Sequence, residues 1–144
     1  MPDQKRIKFE IATPERVVLK EEVSQVTVPT EEGEITILPK HSPLVSILKP
    51  GVLELKKING EIDIVSVSGG FVEVLLNKVI ILADTAERAE EIDIERAEEA
   101  RARAEKSLED IRNSDAVQFA GLAVQIEKEL ARTRSVKRWR SLKK

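Results

Sequence analysis

The sequence contains no cysteine, no tyrosine, one histidine and one tryptophan among its 144 residues. Without cysteine, the chain can form neither a disulfide bond nor a thiolate metal site. Because His41 is the sole histidine, no metal site can be built on a histidine pair. The longest wholly apolar run, Val79 to Ala83, is far too short to cross a bilayer as a helix.

The common sequence motifs of enzymes are also missing. The chain has no G-x-x-x-x-G-K-[ST] phosphate loop and no G-x-G-x-x-G dinucleotide motif. Ser66 and Ser68 stand in VSVSGG, which does not form the G-x-S-x-G nucleophile elbow. We therefore predict a protein without an active site of its own, which requires no cofactor and no metal.

The sequence does contain two regions of very different composition, and the change falls near residue 85. Up to Ala83, short runs of β-branched apolar residues alternate with polar ones, which is typical of strands. From Ala86 onward, alanine, glutamate and arginine predominate, as in exposed helices. We predict an α+β, mainly β fold. Residues 1–85 would form a β-sandwich or flattened barrel of about eight to ten strands, and residues 86–144 an antiparallel two-helix hairpin with a basic tail.

Two turn signals lie within the strand region. Asn59-Gly60 separates two apolar runs and predicts a tight hairpin with positive φ at both turn positions. Asn77-Lys78 predicts a second hairpin between the next two strands.

The helical region carries capping signals and a narrow apolar stripe. Asp93 is the predicted N-cap of the first helix, residues 112–114 form the predicted turn, and Asp115 with Gln118 is a variant capping box for the second helix. The predicted apolar faces are Ala97, Ala100, Ala104, Leu108 and Ile111 on the first helix, and Phe119, Leu122, Ala123, Ile126 and Leu130 on the second. The mostly small side chains of the first helix bury little area, so the hairpin is either a stable cap or an exchangeable arm.

Charge is unevenly distributed, although the net charge is only -2. Residues 87–110 hold ten acidic and five basic residues, whereas residues 128–144 hold eight basic and one acidic residue. The basic tail suits nucleic acid, an anionic membrane surface or an acidic protein surface, and it is equally compatible with a solvated terminus. Composition alone leaves these alternatives open.

Two segments, residues 32–53 and 67–100, closely resemble the epsilon subunit of bacterial F-type ATP synthases. The matching motif residues are Gly33, Ile35, Ile37, Leu38, Pro39, His41 and Pro43, followed by Gly-Gly-Phe-Val-Glu-Val from Gly69, Asn77, and Ile81-Leu82-Ala83-Asp84. The resemblance also covers the length of the chain and the order of a sandwich followed by a helical hairpin.

The resemblance implies a non-catalytic rotor subunit of the central stalk, peripheral to the cytoplasmic face of the bacterial membrane. In that family the sandwich contacts the gamma subunit and the ring of c subunits. The hairpin can extend into the alpha-beta hexamer, where it opposes ATP hydrolysis and its basic side chains approach an acidic segment of beta. The corresponding candidates here are Lys128, Arg132, Arg134, Lys137 and Arg138. Nucleic acid is then not the expected partner, and the alternative is a free-standing ATP-sensing or adaptor module with an acidic partner.

Some members of the family also bind regulatory ATP in the folded arm, through a motif that resembles Ile/Leu-Asp-x-x-Arg-Ala. The residues that match this motif and its surroundings are Glu87, Ile92, Asp93, Arg96, Ala97 and Arg103. ATP-binding members recruit further arginines from the second helix. Simple spacing places Ile126 and Leu130 at those positions, with Arg132 and Arg134 nearby but out of phase. The resemblance therefore implies a nucleotide site with incomplete phosphate contacts.

Overall fold

A computed structural model describes residues 6–111 and 116–143 of the chain. Within these residues the strands are β1 (Ile7–Ala12), β2 (Val17–Thr30), β3 (Gly33–Ile37), β4 (Leu44–Ile47), β5 (Gly51–Lys57), β6 (Ile62–Val74) and β7 (Lys78–Arg88). A 3-10 turn (Ala89–Glu91) leads into helix α1 (Ile94–Asp110), which is followed by helix α2 (Ala116–Leu142). The predicted turn at residues 112–114 and the predicted cap Asp115 lie outside the described residues.

The strands form a closed, flattened barrel. β1 pairs antiparallel with β2 and parallel with β7, and the ring is completed through β6 and β5 back to β2. β3 is added to β2, and β4 is added to β6. The predicted mainly β architecture is confirmed. The described part has seven strands rather than eight to ten, because β2 and β6 are 14 and 13 residues long and each pairs with different neighbours along its length.

The core follows from the alternation seen in the sequence. Along β1, Ile7, Phe9 and Ile11 are buried, whereas the intervening Lys8 is exposed and Glu10 is half-buried. Inward-facing residues of the other strands complete one apolar cluster; the largest of them include Val23, Val26, Val28, Ile37, Leu53, Leu55, Val65, Val67 and Ile81. A period of two therefore positions one face of each strand in the core.

Both predicted hairpins are present, but the first turn differs from the prediction. Gly60 has a φ of 92°, whereas Asn59 does not adopt positive φ. Its side-chain Oδ1 instead accepts a hydrogen bond from the backbone N–H of Glu61, two residues further on. This bond stabilises a longer turn without a left-handed asparagine. At the second hairpin, the backbone N–H of Leu75 donates to the carbonyl of Lys78.

Asp93 caps α1 as predicted, since its Oδ1 accepts a hydrogen bond from the backbone N–H of Arg96 at 3.2 Å. The two helices pack against each other, and α2 also packs against β5 and β6. Strand β7 continues to Arg88, past residue 85, where we placed the domain boundary. The division into two domains itself stays a prediction.

The buried face of α2 is not the predicted one. Phe119 is 51% exposed, and the other predicted apolar residues of this helix are only half-buried. The residues that are buried are Glu129, Ala131, Thr133, Ser135 and Val136. The difference arises because the second half of α2 is the part that meets the sandwich. The basic segment after Lys128 is accordingly a docked helix and not a frayed terminus.

Candidate functional site

The second half of α2 docks on the sandwich through small side chains. Ala131 and Ser135 are 1% and 0% exposed. The hydroxyl of Ser135 donates to the carbonyl of Ala131, and that of Thr133 donates to the carbonyls of Glu129 and Leu130. Because these hydroxyls bond within their own helix, they can be buried without partners on the sandwich. The face can therefore approach the strands closely.

Arg132 joins α2 to the end of β7. Its Nε donates to Glu87 Oε2 at 2.9 Å, and its Nη1 donates to Glu129 Oε2 at the same distance. The side chain of Glu129 is only 7% exposed, whereas that of Glu87 is 37% exposed. Burial lowers the pKa of Arg132, but the hydrogen bonds and negative charges of Glu129 and Glu87 outweigh this effect and raise it above its ordinary value. The guanidinium remains charged and holds both carboxylates.

A second ion pair connects the end of α2 to β5. Arg138 Nε donates to Glu54 Oε1 at 2.5 Å, and this hydrogen bond, together with the charge of Glu54, raises the pKa of Arg138. The side chain of Arg138 is 45% exposed, so solvent weakens the attraction. Arg132 and Arg138 thus attach α2 to two different strands.

A cavity of about 470 Å³ lies between the two helices. We call it the arginine cavity, because its wall includes Arg96 and Arg103 of α1 and Arg132 of α2; the other lining residues are Glu91, Asp93, Glu99 and Ala100. Its volume falls within the range of small-ligand sites. Three arginines and three acidic residues thus line one space, and guanidinium groups are well suited to binding phosphate oxygens.

The structure brings together only part of the predicted nucleotide site. Asp93, Arg96 and Arg103 line the arginine cavity. Ile92 and Ala97 do not line it but are buried beside it, with exposures of 9% and 0%. Glu87 lies outside the cavity wall, where it is bound to Arg132.

Sequence reasoning missed the contribution of Arg132 to this cavity. Spacing along the chain pointed to Ile126 and Leu130, but the residue that α2 presents beside Arg96 is Arg132. The alignment of one helix against the other depends on the loop between them, and sequence spacing alone does not determine it. Glu91 and Glu99 were also missed, because acidic residues are so common in this region that none stands out.

A larger cavity, of about 600 Å³, lies between the β5–β6 turn and the end of α2. Two of its cations are already paired, since Lys57 lies 3.3 Å from Asp63 and Arg88 lies 3.5 Å from Glu90. Its remaining cation, Lys143, lies 4.2 Å from the ring centroid of Trp139. In the arginine cavity only one of the three arginines, Arg132, takes part in the described ion pairs, so this smaller cavity is the better candidate for an anionic ligand.

The five basic residues predicted to meet a partner differ in their surroundings. Arg132 and Arg138 are held by the carboxylates described above. Arg134 and Lys137 are exposed, and Lys128 is half-buried. The docked position of α2 thus occupies two of the five side chains.

The sandwich carries an exposed apolar surface that the sequence did not single out. Ile47 of β4 is paired with Phe71 of β6, which is paired in turn with Leu82 of β7. These three side chains are 49%, 54% and 58% exposed, and the neighbouring Val45 is 69% exposed. We call Val45, Ile47, Phe71 and Leu82 the apolar surface. Contiguous apolar residues of this kind typically mark a contact with another macromolecule.

No described helix is both long and apolar enough to cross a membrane. Residues 6–111 and 116–143 also contain no group of three or more acidic or histidine side chains arranged to hold a metal ion. The described residues thus form a closed β-sandwich with an exposed apolar surface, joined to a docked helical hairpin, and such a surface is typical of a subunit that binds another macromolecule. Comparison with known proteins identifies the family.

Residues 6–89 match the model of the ATP synthase delta/epsilon chain β-sandwich domain. The ATP synthase epsilon chain of Herpetosiphon aurantiacus is 51% identical over 118 residues, which is 82% of this chain and 86% of that protein. The epsilon chain of Chloroflexus aggregans is 56% identical over 98 residues, or 68% of this chain and 70% of that protein. This chain therefore belongs to the ATP synthase delta/epsilon family, and the predicted resemblance is confirmed.

Solved structures agree with this assignment. A chain in the OSCP/F1/c-ring structure of the Euglena gracilis mitochondrial ATP synthase superimposes with a TM-score of 0.77 at 28% identity, covering 88% of this chain and 79% of that one. A chain in the central stalk/c-ring structure from Tetrahymena thermophila has a TM-score of 0.58 at 18% identity and covers 94% and 96% of the two chains. The latter likeness concerns the fold alone.

Proposed function

We propose that this protein is a non-catalytic rotor subunit of the ATP synthase central stalk, which couples the c-ring and the gamma subunit to the catalytic alpha-beta hexamer. Family membership is the observation that carries this proposal. The similar Euglena chain comes from a structure described as containing F1 and the c-ring. The protein would be peripheral to the cytoplasmic face of a bacterial membrane, held there by the complex and without an active site of its own.

The apolar surface is the proposed site of attachment to the rotor. Its residue Phe71 is in the part of β6 that pairs with β4, whereas β5, to which Arg138 attaches α2, pairs with residues 62–67 of β6. Phe71 is at its centre and is more than half exposed, so a charged replacement there costs the sandwich little but places a charge in the contact. We expect Phe71→Asp to abolish co-purification with a gamma subunit, whereas Val17→Asp, at another exposed apolar position, leaves it intact. Equal binding by both variants would rule out this surface.

We propose that the helical hairpin inhibits ATP hydrolysis when it leaves the sandwich. The small docking face and the two partly exposed ion pairs make a detachable contact, which supports an exchangeable arm. The test is to delete residues 93–144, which leaves all of β7 in place, and to measure hydrolysis by the reconstituted complex. Faster hydrolysis is expected. Unchanged hydrolysis would reject the inhibitory role, and failure to assemble would show that the hairpin is structural.

We further propose that the arginine cavity binds regulatory ATP. Because its wall comes from both helices, a ligand that bridges them would stabilise the folded arm. A ligand at 100 times its dissociation constant stabilises the state it binds by about 2.7 kcal/mol, which is comparable to the docking energy of a small face. This effect would favour the non-inhibitory position of the arm.

Calorimetric titration with ATP tests the cavity directly. Removing one of three phosphate contacts in Arg103→Gln should weaken ATP binding about ten- to hundredfold, because a hydrogen bond to a charged group contributes about 1.5–3 kcal/mol. Arg101→Gln is the matched control, since Arg101 does not line the cavity and is paired with Glu105 on its own helix. Absence of ATP binding to the unmodified protein at millimolar concentrations would reject the proposal.

A further inference from the structure

Arg132 takes part both in the arginine cavity and in the attachment of α2 to β7. Its guanidinium lines the arginine cavity, and its Nε and Nη1 are hydrogen-bonded to Glu87 and Glu129. Any anion in the cavity therefore meets an arginine that is already engaged. The outcome depends on which of the existing hydrogen bonds is easier to break.

Guanidinium geometry restricts how Arg132 can bind phosphate. A two-point contact uses adjacent donors on one edge of the group, either Nε with Nη2 or Nη1 with Nη2. The Nε–Nη2 edge is blocked, because Nε has a single N–H and donates it to Glu87. Nη1 has two N–H groups, so its bond to Glu129 leaves one of them free for another acceptor. A bidentate phosphate contact through the Nε–Nη2 edge must consequently displace Glu87.

The two glutamates differ in how readily they can be released. Glu129 is 7% exposed and lies three residues from Arg132 on the same helix, so its carboxylate would be left buried and unpaired. Glu87 is 37% exposed and lies on β7, so water can solvate its carboxylate after release. Of the two bonds, the one to Glu87 is therefore the easier to break.

We propose that Glu87 competes with phosphate for Arg132, so that it lowers the affinity of the arginine cavity for anions and links occupancy of the cavity to the attachment of α2 to β7. This inference rests on the proposed ligand site but assigns Glu87 a different role from direct contact with the nucleotide. An anion would tie α2 to α1 through Arg96, Arg103 and Arg132. At the same time it would remove one of the two ion pairs that hold α2 on the sandwich.

The test compares Glu87→Gln with Glu54→Gln, using inorganic tripolyphosphate and ATP as probes at constant ionic strength. Glu54→Gln is the matched control because it removes the same charge and breaks the other ion pair between α2 and the sandwich, but Glu54 does not touch Arg132. Glu87→Gln should tighten tripolyphosphate binding about two- to fivefold, the effect expected for loss of a partly exposed ion pair. Glu54→Gln should leave this affinity unchanged.

A direct readout is the NMR signal of the Arg132 Nε–H group, which the bond to Glu87 protects from exchange with water. Adding tripolyphosphate to the unmodified protein should shift this signal. Weaker ATP binding by Glu87→Gln with unchanged tripolyphosphate binding would overturn the inference, because Glu87 would then contact the nucleoside part. If Glu87→Gln tightens tripolyphosphate binding as expected, but ATP binds no more strongly than tripolyphosphate, the competition between Glu87 and phosphate is supported and a site specific for ATP is rejected. If neither tripolyphosphate nor ATP binds to the unmodified protein, to Glu87→Gln or to Glu54→Gln, both the ATP site and the competition are rejected.

Discussion

Replacement of Ser135 by leucine should detach α2 from the sandwich without unfolding the sandwich. Ser135 is fully buried, and its hydroxyl bonds only within α2, so the larger leucine side chain has no space beside it. Insertion of extra apolar atoms into a filled site costs about 1–3 kcal/mol. Movement of α2 away from the strands relieves this steric strain, and the sandwich remains folded because it has its own closed core.

The free energy that holds α2 on the sandwich is of similar magnitude to this cost. Burial of Val136 contributes about 1.5–3 kcal/mol, and the smaller Ala131 contributes less. The ion pairs of Arg132 and Arg138 add about 0.2–1 kcal/mol each because both are partly exposed. Side-chain ordering opposes these gains. A cost of about 2 kcal/mol therefore shifts the docked population by up to about thirtyfold.

Amide hydrogen exchange measured by mass spectrometry detects this detachment. After detachment from the sandwich, α2 keeps only its packing against α1, so exchange in residues 129–142 should accelerate about tenfold or more in Ser135→Leu. Exchange in β5 and β6 should not change. Gln125→Leu is the control, since residue 125 is on the exposed part of α2. Unchanged exchange in α2, or equal acceleration throughout the strands, would refute the view that the arm is a separable, weakly attached unit.

Two further predictions concern the sandwich. Gly70→Ala should lower the free energy of unfolding by more than about 3 kcal/mol or prevent folding, because Gly70 has a φ of 112° and an added Cβ would clash with the carbonyl oxygen of Leu82. Gly60 also has positive φ, but the space around it is open, so Gly60→Ala should cost only about 1–2 kcal/mol. Denaturant unfolding of both variants measures these costs. Burial raises the pKa of Glu21 above 4.5, with a further rise from Asp63, against the opposing effect of Lys57. The native state therefore binds this proton more tightly than the unfolded chain, and stability falls as pH rises through the native pKa. Glu21→Gln should be stabilising relative to the unmodified protein at pH 7, a difference that shrinks towards pH 4 in unfolding measurements; a constant difference would contradict this explanation.

Much of the fold could be predicted because local rules and tertiary packing agree. The alternation at Ile7, Phe9 and Ile11 corresponds to the buried face of β1. Asp93 combines a capping side chain with the start of an alanine-rich helix, and both features are found in α1. The predicted count of eight to ten strands exceeds the seven found in the described residues, because continuity across β2 and β6 depends on pairing with distant strands, and a short sequence window does not report such pairing.

The docking face of α2 was missed for a different reason. A search for apolar periodicity selects Phe119 and Leu122, but the buried positions include Ser135, Thr133 and Glu129. These residues are buried because their polar groups are satisfied within α2 or by Arg132, which hydropathy does not capture. Arg132 itself required the three-dimensional alignment of two helices. Candidate residues on one continuous segment, such as Asp93 and Arg96, were therefore easier to identify than those contributed by a second segment.

The parallel pairing of β1 with β7 has a consequence for biosynthesis. β1 leaves the ribosome first, yet one of its two neighbours is the last strand of the sandwich, with Lys8 opposite Lys78. Until β7 emerges, β1 has one edge without its neighbour, and β2 to β6 cannot close into a ring. The helices are translated after this closing strand, so they meet β5 and β6 when the ring can already be complete. The order of translation thus separates formation of the sandwich from attachment of the two helices.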